Sequence, residues 1–515
     1  MMSGRNKSRL RIANLAAGAA LLTACSAGMA QKIAPTGTPL TQQERAQGSK
    51  YHPDLVTEYG GEMSGPHADY VKGVGKKIAL QSGLSTNPAD YNVTLLNSPV
   101  NNAFAIPGGY VYVTRQLVAL MNNEAELAGV LGHEVGHVAA RHSAKRQSTA
   151  QRNQILGVLG QVLSGVVFGN SALGHIGQQV ASTVPQLATL RYSRKQELQA
   201  DKLGVQYLSG AGYDPRAMAT VLYSLAAQNS LDAALHGRNA AIPEWASTHP
   251  DPASRVNNAL SLAGNNATGA TNRDTFLTRI DGIMYGDDPK QGVVEDRKFL
   301  HPELRFAFEV PQGYTMANGA RSVAINGQSG RGEMSMAAYS GNLDSYIRAV
   351  FSALAGEGQT LAPASIEKTT VNGLPAAYGV ARVNSGSGQV DVVVFAYEFA
   401  KDRAYHFTTI SPAGQSGAFN PMFQSMRRMT AAEAAAVKPR AIDVLTVRSG
   451  DTVQSLSARM AYQTAREERF RVLNGLGASD QVKAGQKRAD ARVVRILPSE
   501  DAGDGGDAVE VHSPA

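Results

Sequence analysis

The chain has 515 residues, which is enough for about two to four domains. Its 49 Lys and Arg residues against 42 Asp and Glu residues give a formal net charge of +7, and so modest and dispersed an excess argues against a nucleic-acid partner. A single cysteine excludes an intrachain disulfide.

The first 24 residues have the pattern of a signal peptide. Four basic residues precede the apolar stretch from Ile12 to Leu22, which is too short to span a membrane. The sequence Leu22-Thr23-Ala24-Cys25 then resembles a bacterial lipobox, and this resemblance implies cleavage before Cys25 and acylation of its thiol. Cleavage would leave 45 basic and 42 acidic residues, a net charge of +3. By resemblance to lipoprotein sorting rules, Ser26 favours the outer membrane, facing the periplasm.

Residues 25–50 are polar and contain Pro, Gly and Gln, which predicts a tether to a folded domain over residues 51–280. In that domain, two strand-like stretches flank the turn Pro107-Gly108-Gly109 and predict a short hairpin. No stretch beyond the N-terminal segment reaches the ~18 apolar residues of a membrane span, which predicts a soluble body.

A buried helix is predicted after residue 122. Asn123, followed three residues later by Glu126, is typical of a helix start. Apolar residues then recur at helical spacing and predict a core-facing stripe of Leu127, Val130, Leu131, Val135 and Val138.

The sequence His133-Glu134-Val135-Gly136-His137 lies two turns into this helix. Residues four apart differ by about 40° around a helix and ~6 Å along it, so both imidazoles can reach one metal ion. Glu134 can reach a metal-bound water without ligating the metal itself. The spacing therefore predicts a catalytic zinc site, with one Zn²⁺ per chain and Glu134 as general base and acid.

A second acidic pair, Glu197 and Asp201, is again spaced by four residues. A catalytic zinc ion needs three protein ligands and an open position for water, and two histidines with one glutamate are a common set. We therefore expect Glu197 to be the third ligand and Asp201 to orient a ligating histidine. The alternative for this acidic pair is a solvated helix face.

Between the two motifs, residues 155–168 are apolar. They predict either a core helix or a lid or membrane-touching hairpin over the cleft.

Four ordered motifs within residues 50–260 resemble the CAAX-prenyl-endopeptidase and HtpX-like family of zinc metallopeptidases. They are Asn102–Gly109, Asn123–His137, Ser193–Asp201, and Thr248-His249-Pro250 with Arg255. The resemblance implies a gluzincin fold in which His133, His137 and Glu197 hold zinc. The chain differs from the integral-membrane members because no long apolar span surrounds the site.

The resemblance also implies that His249 and Arg255 face the substrate carbonyl or the metal. Either residue could stabilise the oxyanion that develops during peptide hydrolysis. Alternatively, His249 could occupy the fourth zinc position and hold the enzyme latent.

In zincins an edge strand above the metal pairs with the extended peptide. Asn102, Ala103, Phe104 and Ala105 are the expected substrate strand, although an ordinary hairpin would have the same sequence pattern.

Residues 297–430 contain turn-separated strands and two helices, which predicts a small α+β sandwich. The order of Phe308-Glu309-Val310-Pro311, Val371-Asn372-Gly373-Leu374 and Tyr405-His406-Phe407 is similar to PsbP-like domains. No catalytic constellation is evident here, and His406 is expected to be a strand residue. Residues 297–430 are therefore expected to have a binding or spacer role.

Residues 444–497 carry a further unit. Gly450-Asp451-Thr452 and Leu473-Asn474-Gly475 resemble a LysM module, which implies a strand–helix–helix–strand fold that binds N-acetylglucosamine-containing glycans. The final strand signal is interrupted between Arg488 and Val493, so a purely structural use is the alternative. The acidic, Gly-rich residues 499–515 are expected to be disordered.

The expected fold is thus multidomain: a mainly α, zincin-type (α+β) catalytic domain, a small α+β domain and a βααβ module. The expected function is a lipid-anchored zinc endopeptidase of the bacterial envelope that cleaves unfolded or misassembled envelope proteins, with peptidoglycan as a second partner. Two alternatives are a non-proteolytic chaperone or adaptor for envelope assembly, and a peptidoglycan hydrolase. The hydrolase fits less well, because HExxH with a distant glutamate is peptidase architecture.

Overall fold

The computed structural model describes residues 38–143, 192–236, 245, 248–265, 267–355, 360–385 and 388–493. The predictions for Cys25, for residues 155–168 and for residues 499–515 lie outside these ranges. No helix within the ranges combines the length and apolar character that a membrane span requires.

The catalytic region consists of eight helices and one small sheet among the described residues. The helices are α1 (Gln42–Glu58), α2 (Pro66–Ala79), α3 (Arg115–Leu120), α4 (Glu124–Ala139), α5 (Arg194–Gly210), α6 (Ala217–His236), α7 (Pro252–Ala263) and α8 (Arg273–Ile280). The strands are β1 (Asn92–Leu96), β2 (Ala103–Ile106) and β3 (Tyr110–Thr114), in the order β1-β3-β2, so that β2 lies at the edge. β1 is parallel to β3, and β2 is antiparallel to it.

The predicted tether ends earlier than expected, because α1 begins at residue 42 and Leu40 is already buried in the core. Thr41 caps α1 in a reciprocal capping box with Glu44. Glu44 also accepts a hydrogen bond from Arg141 at 2.9 Å, just beyond the end of α4. On the hairpin turn, a Cβ on Gly108 would lie 2.5 Å from the carbonyl oxygen of Glu44, so only glycine permits this close approach.

Helix α4 begins where the sequence predicts it. The Asn123 side chain accepts from the backbone N–H of Glu126 at 3.0 Å, and Glu126 in turn accepts from the backbone N–H of Asn122 at 2.7 Å. The return bond reaches one residue further back than in a regular capping box. Of the predicted apolar stripe only Val138 is partly exposed, and nearly every other α4 residue is also buried. The helix is therefore a central element of the core.

Residues 293–428 form the sheet-rich region, which follows the short strand β4 (Met284–Tyr285). A four-stranded sheet contains β5 (Val293–Glu295), β6 (Lys298–His301), β7 (Phe306–Glu309) and β15 (Arg427–Arg428). A seven-stranded antiparallel sheet contains β8 (Thr315–Asn318), β9 (Val323–Gly327), β10 (Gly330–Met336), β11 (Ile366–Val371), β12 (Leu374–Ser385), β13 (Gly388–Ala400) and β14 (Arg403–Pro412), in the order β11-β12-β13-β14-β10-β9-β8.

Helix α9 (Leu343–Leu354) packs on one face of the seven-stranded sheet, and an aromatic core that includes Phe306, Phe308 and Phe407 fills the other face. The second helix of this region, α10, covers Asn420–Ser425, and residues 427 and 428 are strand. His406 lies on β14 as predicted, where its Nδ1 is 2.8 Å from the Tyr346 hydroxyl. The region is a layered α+β structure.

The C-terminal unit has a strand–helix–helix–strand order. After α11 (Ala431–Ala436) come β16 (Arg440–Thr446), α12 (Val453–Ser457), α13 (Arg466–Leu473) and β17 (Lys487–Val493). β16 and β17 pair antiparallel, and the stretch expected to interrupt the final strand is part of β17. Burial of Arg488 and Asp490 in a strand explains why the apolar pattern was weak there.

The C-terminal unit is not structurally separate from the catalytic region. β16 also pairs with β4, which follows α8 of the catalytic region. Ile442, Leu456 and Phe470 belong to the same buried cluster as Leu131 and Val135 of α4. A continuous core joins the unit to the catalytic region, so both must be treated as parts of one folded body.

Candidate metal centre

Helices α4 and α5 cross at glycines. A Cβ on Gly136 would lie 3.2 Å from the carbonyl oxygen of Ala200, and a Cβ on Gly204 would lie 3.2 Å from the backbone nitrogen of His133. Larger side chains would push the helices apart. The close crossing brings the HExxH face of α4 against the face of α5 that carries Glu197 and Asp201.

Four buried residues could together hold a metal ion: His133, His137, Glu197 and His249. Each offers one ligand atom, and these atoms all lie within 4.8 Å of one another. The Nε2 atoms of His133 and His137 are 3.0 Å apart. Oxygens of Glu197 lie 3.6 Å and 3.5 Å from them, respectively. The Nδ1 atom of His249 is 3.3 Å from His133 Nε2 and 3.1 Å from Glu197 Oε1.

These separations fit one tetrahedral ion. Bonds of ~2.1 Å from imidazole nitrogen or carboxylate oxygen to zinc place neighbouring ligand atoms about 3.4 Å apart. The protonation states also fit. Burial lowers the pKa of His137 well below its usual range and the pKa of His249 to about 4. Burial alone would raise the pKa of Glu197, but His249, His137 and Arg255 outweigh it and lower that pKa. Neutral imidazoles and an ionised carboxylate are the forms that bind metals.

Hydrogen bonds orient both helix histidines. His133 Nδ1 lies 3.0 Å from Asp201 Oδ1, so this nitrogen donates to the carboxylate and leaves Nε2 for a metal. His137 Nδ1 lies 2.8 Å from Nδ1 of His142, whose Nε2 lies 3.2 Å from Gln199 Oε1. One proton arrangement satisfies this chain: His137 Nδ1–H donates to His142, and His142 Nε2–H donates to the amide oxygen.

Arg255 lies beside the metal cluster, where it contacts the two acidic residues of α5. Its side chain is 1 % exposed and donates to Asp201 from Nε at 2.8 Å and from Nη2 at 2.5 Å. Its Nη1 donates to Glu197. The guanidinium thus donates to both α5 carboxylates. Its charge offsets theirs, because two buried carboxylates four residues apart would otherwise repel each other.

His249 is held between aromatic rings. The Trp245 ring stacks on it at 4.1 Å between ring centroids, and the His249 backbone N–H donates to the Trp245 carbonyl at 2.7 Å. Tyr192 stacks on His137 at 3.6 Å and lies 5.1 Å from His249. His249 Nε2 is 3.5 Å from Glu134 Oε1, and the Glu134 side chain is fully buried. His249 therefore lies between Glu134 and the other three ligand groups.

The predicted substrate strand has buried side chains throughout. Ala103 and Ala105 pack in the main core, whereas Phe104 stacks on Tyr112 at 4.7 Å under α1. The Asn102 side chain donates to the Tyr59 hydroxyl at 3.1 Å. The side chains of this edge strand are therefore used for packing within the protein.

Three residues at this site were not predicted from the sequence: His142, Tyr192 and Trp245. His142 follows the second ligand histidine by five residues, and Trp245 is the chain's single tryptophan, four residues before His249. Their closeness in sequence to the two histidines is the signal by which His142 and Trp245 could have been identified. Tyr192 carried none, because its contact with His137 arises from the turn before α5.

His142→Ala is expected to weaken metal binding by roughly 10- to 100-fold, because His137 loses the acceptor that orients its ring. Isothermal titration with zinc would measure this change, and His142→Gln, which keeps an acceptor oxygen, should recover part of the affinity. His67→Ala, at a partly exposed histidine outside the cluster, is the control. Equal zinc affinity in His142→Ala and the control would exclude an orienting role for His142.

Residues 67–263 match the family model described as Peptidase family M48. Among similar proteins, the Beta-barrel assembly-enhancing protease of Escherichia coli O157:H7 is 32% identical over 197 residues, which cover 38% of this chain and 38% of that protein. The protein of the same name from Yersinia pestis is 30% identical over 225 residues, which cover 42% of this chain and 44% of that protein. The Mitochondrial metalloendopeptidase OMA1 of Schizosaccharomyces pombe is 30% identical and covers 41% of this chain and 59% of its own.

Each of these relatives is matched over less than two thirds of its length. The family match lies within the catalytic region. It includes all four residues of the metal cluster and excludes the sheet-rich region and the C-terminal unit. Residues 67–263, which contain the metal cluster, are therefore similar to metallopeptidases of Peptidase family M48.

Proposed function

We propose that the chain is a zinc-dependent endopeptidase that cleaves unfolded or misassembled proteins of the bacterial cell envelope. The single observation that carries the proposal is the buried cluster of His133, His137, Glu197 and His249 beside Glu134. Zinc bound there would supply a Lewis acid and a water of lowered pKa.

Different residues of the chain would bind the metal, orient its ligands and transfer the proton. His133, His137 and Glu197 hold the ion, with Asp201, His142 and Arg255 fixing their orientation and charge. Glu134 takes a proton from the attacking water and returns it to the leaving amine. It is suited to this role because it is buried next to the cluster, where no bulk water competes for the proton.

Substrate would bind as an extended strand along the free edge of β2. Pairing through backbone groups gives affinity without demanding a sequence. This agrees with buried side chains at Asn102, Ala103, Phe104 and Ala105, and it suits unfolded proteins as the substrate class. Folded proteins rarely offer an extended backbone of that kind.

His249 is proposed as a fourth metal ligand that keeps the site latent. Its Nδ1 lies as close to the other ligand atoms as they lie to one another. His249→Ala should therefore retain zinc and cleave casein faster than wild type, because the fourth position opens to water. A fall in turnover of roughly 10²-fold with zinc retained would instead assign His249 to oxyanion stabilisation. Unchanged cleavage would exclude both roles.

An envelope location is proposed from the sequence and the relatives' names. Cys25 follows a lipobox-like sequence, which favours a lipid anchor on the periplasmic face of the outer membrane. Two bacterial relatives are named for enhancing β-barrel assembly. The C-terminal unit has the element order expected for glycan binding by a LysM module, so peptidoglycan is proposed as a second partner.

The test is to give the purified chain two substrates, unfolded casein and isolated cell wall, with Glu134→Gln as the control. An endopeptidase cleaves casein only, and Glu134→Gln does not. Release of soluble cell-wall fragments would favour a peptidoglycan hydrolase. No cleavage of either substrate, even by His249→Ala, would favour a non-proteolytic adaptor.

A further inference from the structure

A cavity of about 670 Å³ lies between the catalytic region and the C-terminal unit. It is lined by the start of α4, by α6 and α7, and by the segment Asn474-Gly475-Leu476 after α13. Its size falls in the range of small-molecule and peptide-end binding sites. None of its lining residues belongs to the metal cluster.

Two arginines in this cavity have unused donors. Arg488 on β17 is 92% buried (8% exposed), and its Nε makes no hydrogen bond with any described residue. Arg273 at the start of α8 donates from Nη1 to the Asn122 carbonyl at 2.7 Å, but its buried Nη2 has no partner within the described ranges. Buried donors without acceptors are costly, so two in one cavity indicate an absent acceptor.

The acidic residues of the cavity do not supply that acceptor. Asp214 is held by Arg216, which donates to both of its oxygens from Nε at 3.0 Å and 3.1 Å. Glu126 accepts from the backbone of Asn122 at 2.7 Å and from the Thr220 hydroxyl at 2.7 Å. Nη2 of Arg273 and Nε of Arg488 therefore lack an acceptor, although Glu126 and Asp274 attract Arg273 and Asp480 attracts Arg488 electrostatically. Burial together with the nearby Arg273 lowers the pKa of Arg488.

The opposite wall of the cavity is apolar. Tyr223 and Leu260 are 50% and 44% exposed, and they are two of the three large hydrophobic side chains that are exposed in the described part of the chain. Val256 and Leu476 line the same cavity. An exposed apolar patch beside unpaired cations fits a ligand with one anionic group and one compact apolar group.

We propose that this cavity binds the C-terminal end of a polypeptide, with the carboxylate on Arg273 and Arg488 and an apolar last side chain against Tyr223 and Leu260. Arginine pairs carboxylates through directed hydrogen bonds, which the two unused N–H groups provide. The apolar wall is only a few side chains long, so it suits one side chain better than an acyl chain.

The cavity is a separate site from the metal centre. Asn123, at the cavity, and His133, at the cluster, are ten residues apart on α4, which corresponds to about 15 Å along the helix. The site would therefore hold a chain end away from the cleaved bond. This role goes beyond hydrolysis and does not depend on it.

The test uses the full-length chain with Glu134→Gln, so that no peptide is cleaved. The probe is a fluorescein-labelled Gly-Ser-Gly-Ser-Phe pentapeptide, either as the free acid or as the C-terminal amide, measured by fluorescence polarisation. The free acid should bind about tenfold or more tightly than the amide. Adding Arg273→Gln should remove most of this difference, and adding Leu260→Ser should weaken the Phe-ended peptide more than a Gly-ended one.

Arg216→Gln is the matched control, because Arg216 lines the same cavity but is already paired with Asp214. It should leave the preference for the free acid intact. Circular dichroism would establish that each variant is folded, and Leu260→Ser tests an exposed position if Arg273→Gln fails to fold. Equal binding of acid and amide, absence of binding by either, or stronger binding of a short fatty acid than of the peptide would each overturn the proposal.

Discussion

Glu134→Gln is expected to abolish casein cleavage while the protein retains about one zinc ion per chain. The amide keeps the shape of the side chain but cannot accept and return a proton, and general acid–base catalysis contributes roughly 10²- to 10⁴-fold to such reactions. Zinc should remain, because the proposed ligands are His133, His137, Glu197 and His249. Casein cleavage and metal content by mass spectrometry measure the two outcomes.

Glu295→Gln provides the control, since this exposed glutamate lies on β5 in the sheet-rich region, outside the metal cluster. It should cleave casein at the wild-type rate. If Glu134→Gln instead loses zinc and activity together, Glu134 is a ligand, and the assignment of the base fails.

Glu197→Ala is expected to lose zinc to a greater extent than any change outside the ligand set. Removal of the carboxylate takes away a ligand atom and the partner of Arg255 Nη1, so only Asp201 is left to offset the Arg255 charge beside the metal position. The loss of zinc affinity should exceed the roughly 10- to 100-fold expected for residues that only orient ligands. Titration with zinc in a competing chelator would measure it.

Asp201→Ala is the comparison for Glu197→Ala, because it removes the acceptor of His133 Nδ1 but leaves every ligand atom in place. It should weaken zinc binding within that 10- to 100-fold range. Wild-type zinc affinity in Glu197→Ala would mean that His249 completes the ligand set without the glutamate.

The metal cluster could be predicted from the sequence because its spacing reports geometry directly. His133 and His137 share one face of α4, and the turn of α5 that carries Glu197 and Asp201 lies against it, as the i, i+4 spacing of each pair suggests. The start of α4 was equally readable, because Asn123 caps it through a local contact. Interactions between residues a few positions apart leave a pattern in the sequence.

Contacts between distant segments left no such pattern. Sequence spacing does not indicate that Arg255 pairs with Asp201, from which it is separated by 54 residues. Likewise, Tyr192 stacks on His137 across a separation of 55 residues. Sequence spacing indicates which side chains share a helix face, but the neighbours of that face depend on how the elements pack.

Domain boundaries were the other weak point. Residues 42–50 are polar enough to resemble a tether, but they form the first half of an amphiphilic helix that packs through Leu55 and Tyr59 on the outer face of β2 and β3. The C-terminal unit has its own element order, but β16 pairs with β4 and its core is continuous with that of α4. Composition detects neither kind of contact.

The most direct test of the central claim is the stoichiometric removal and return of zinc. The purified chain should contain one zinc ion per molecule, lose casein cleavage when a chelator removes that ion, and regain it when one equivalent is added back. Glu197→Ala should regain nothing under the same conditions. Casein cleavage that persists after the zinc has been removed would contradict the account.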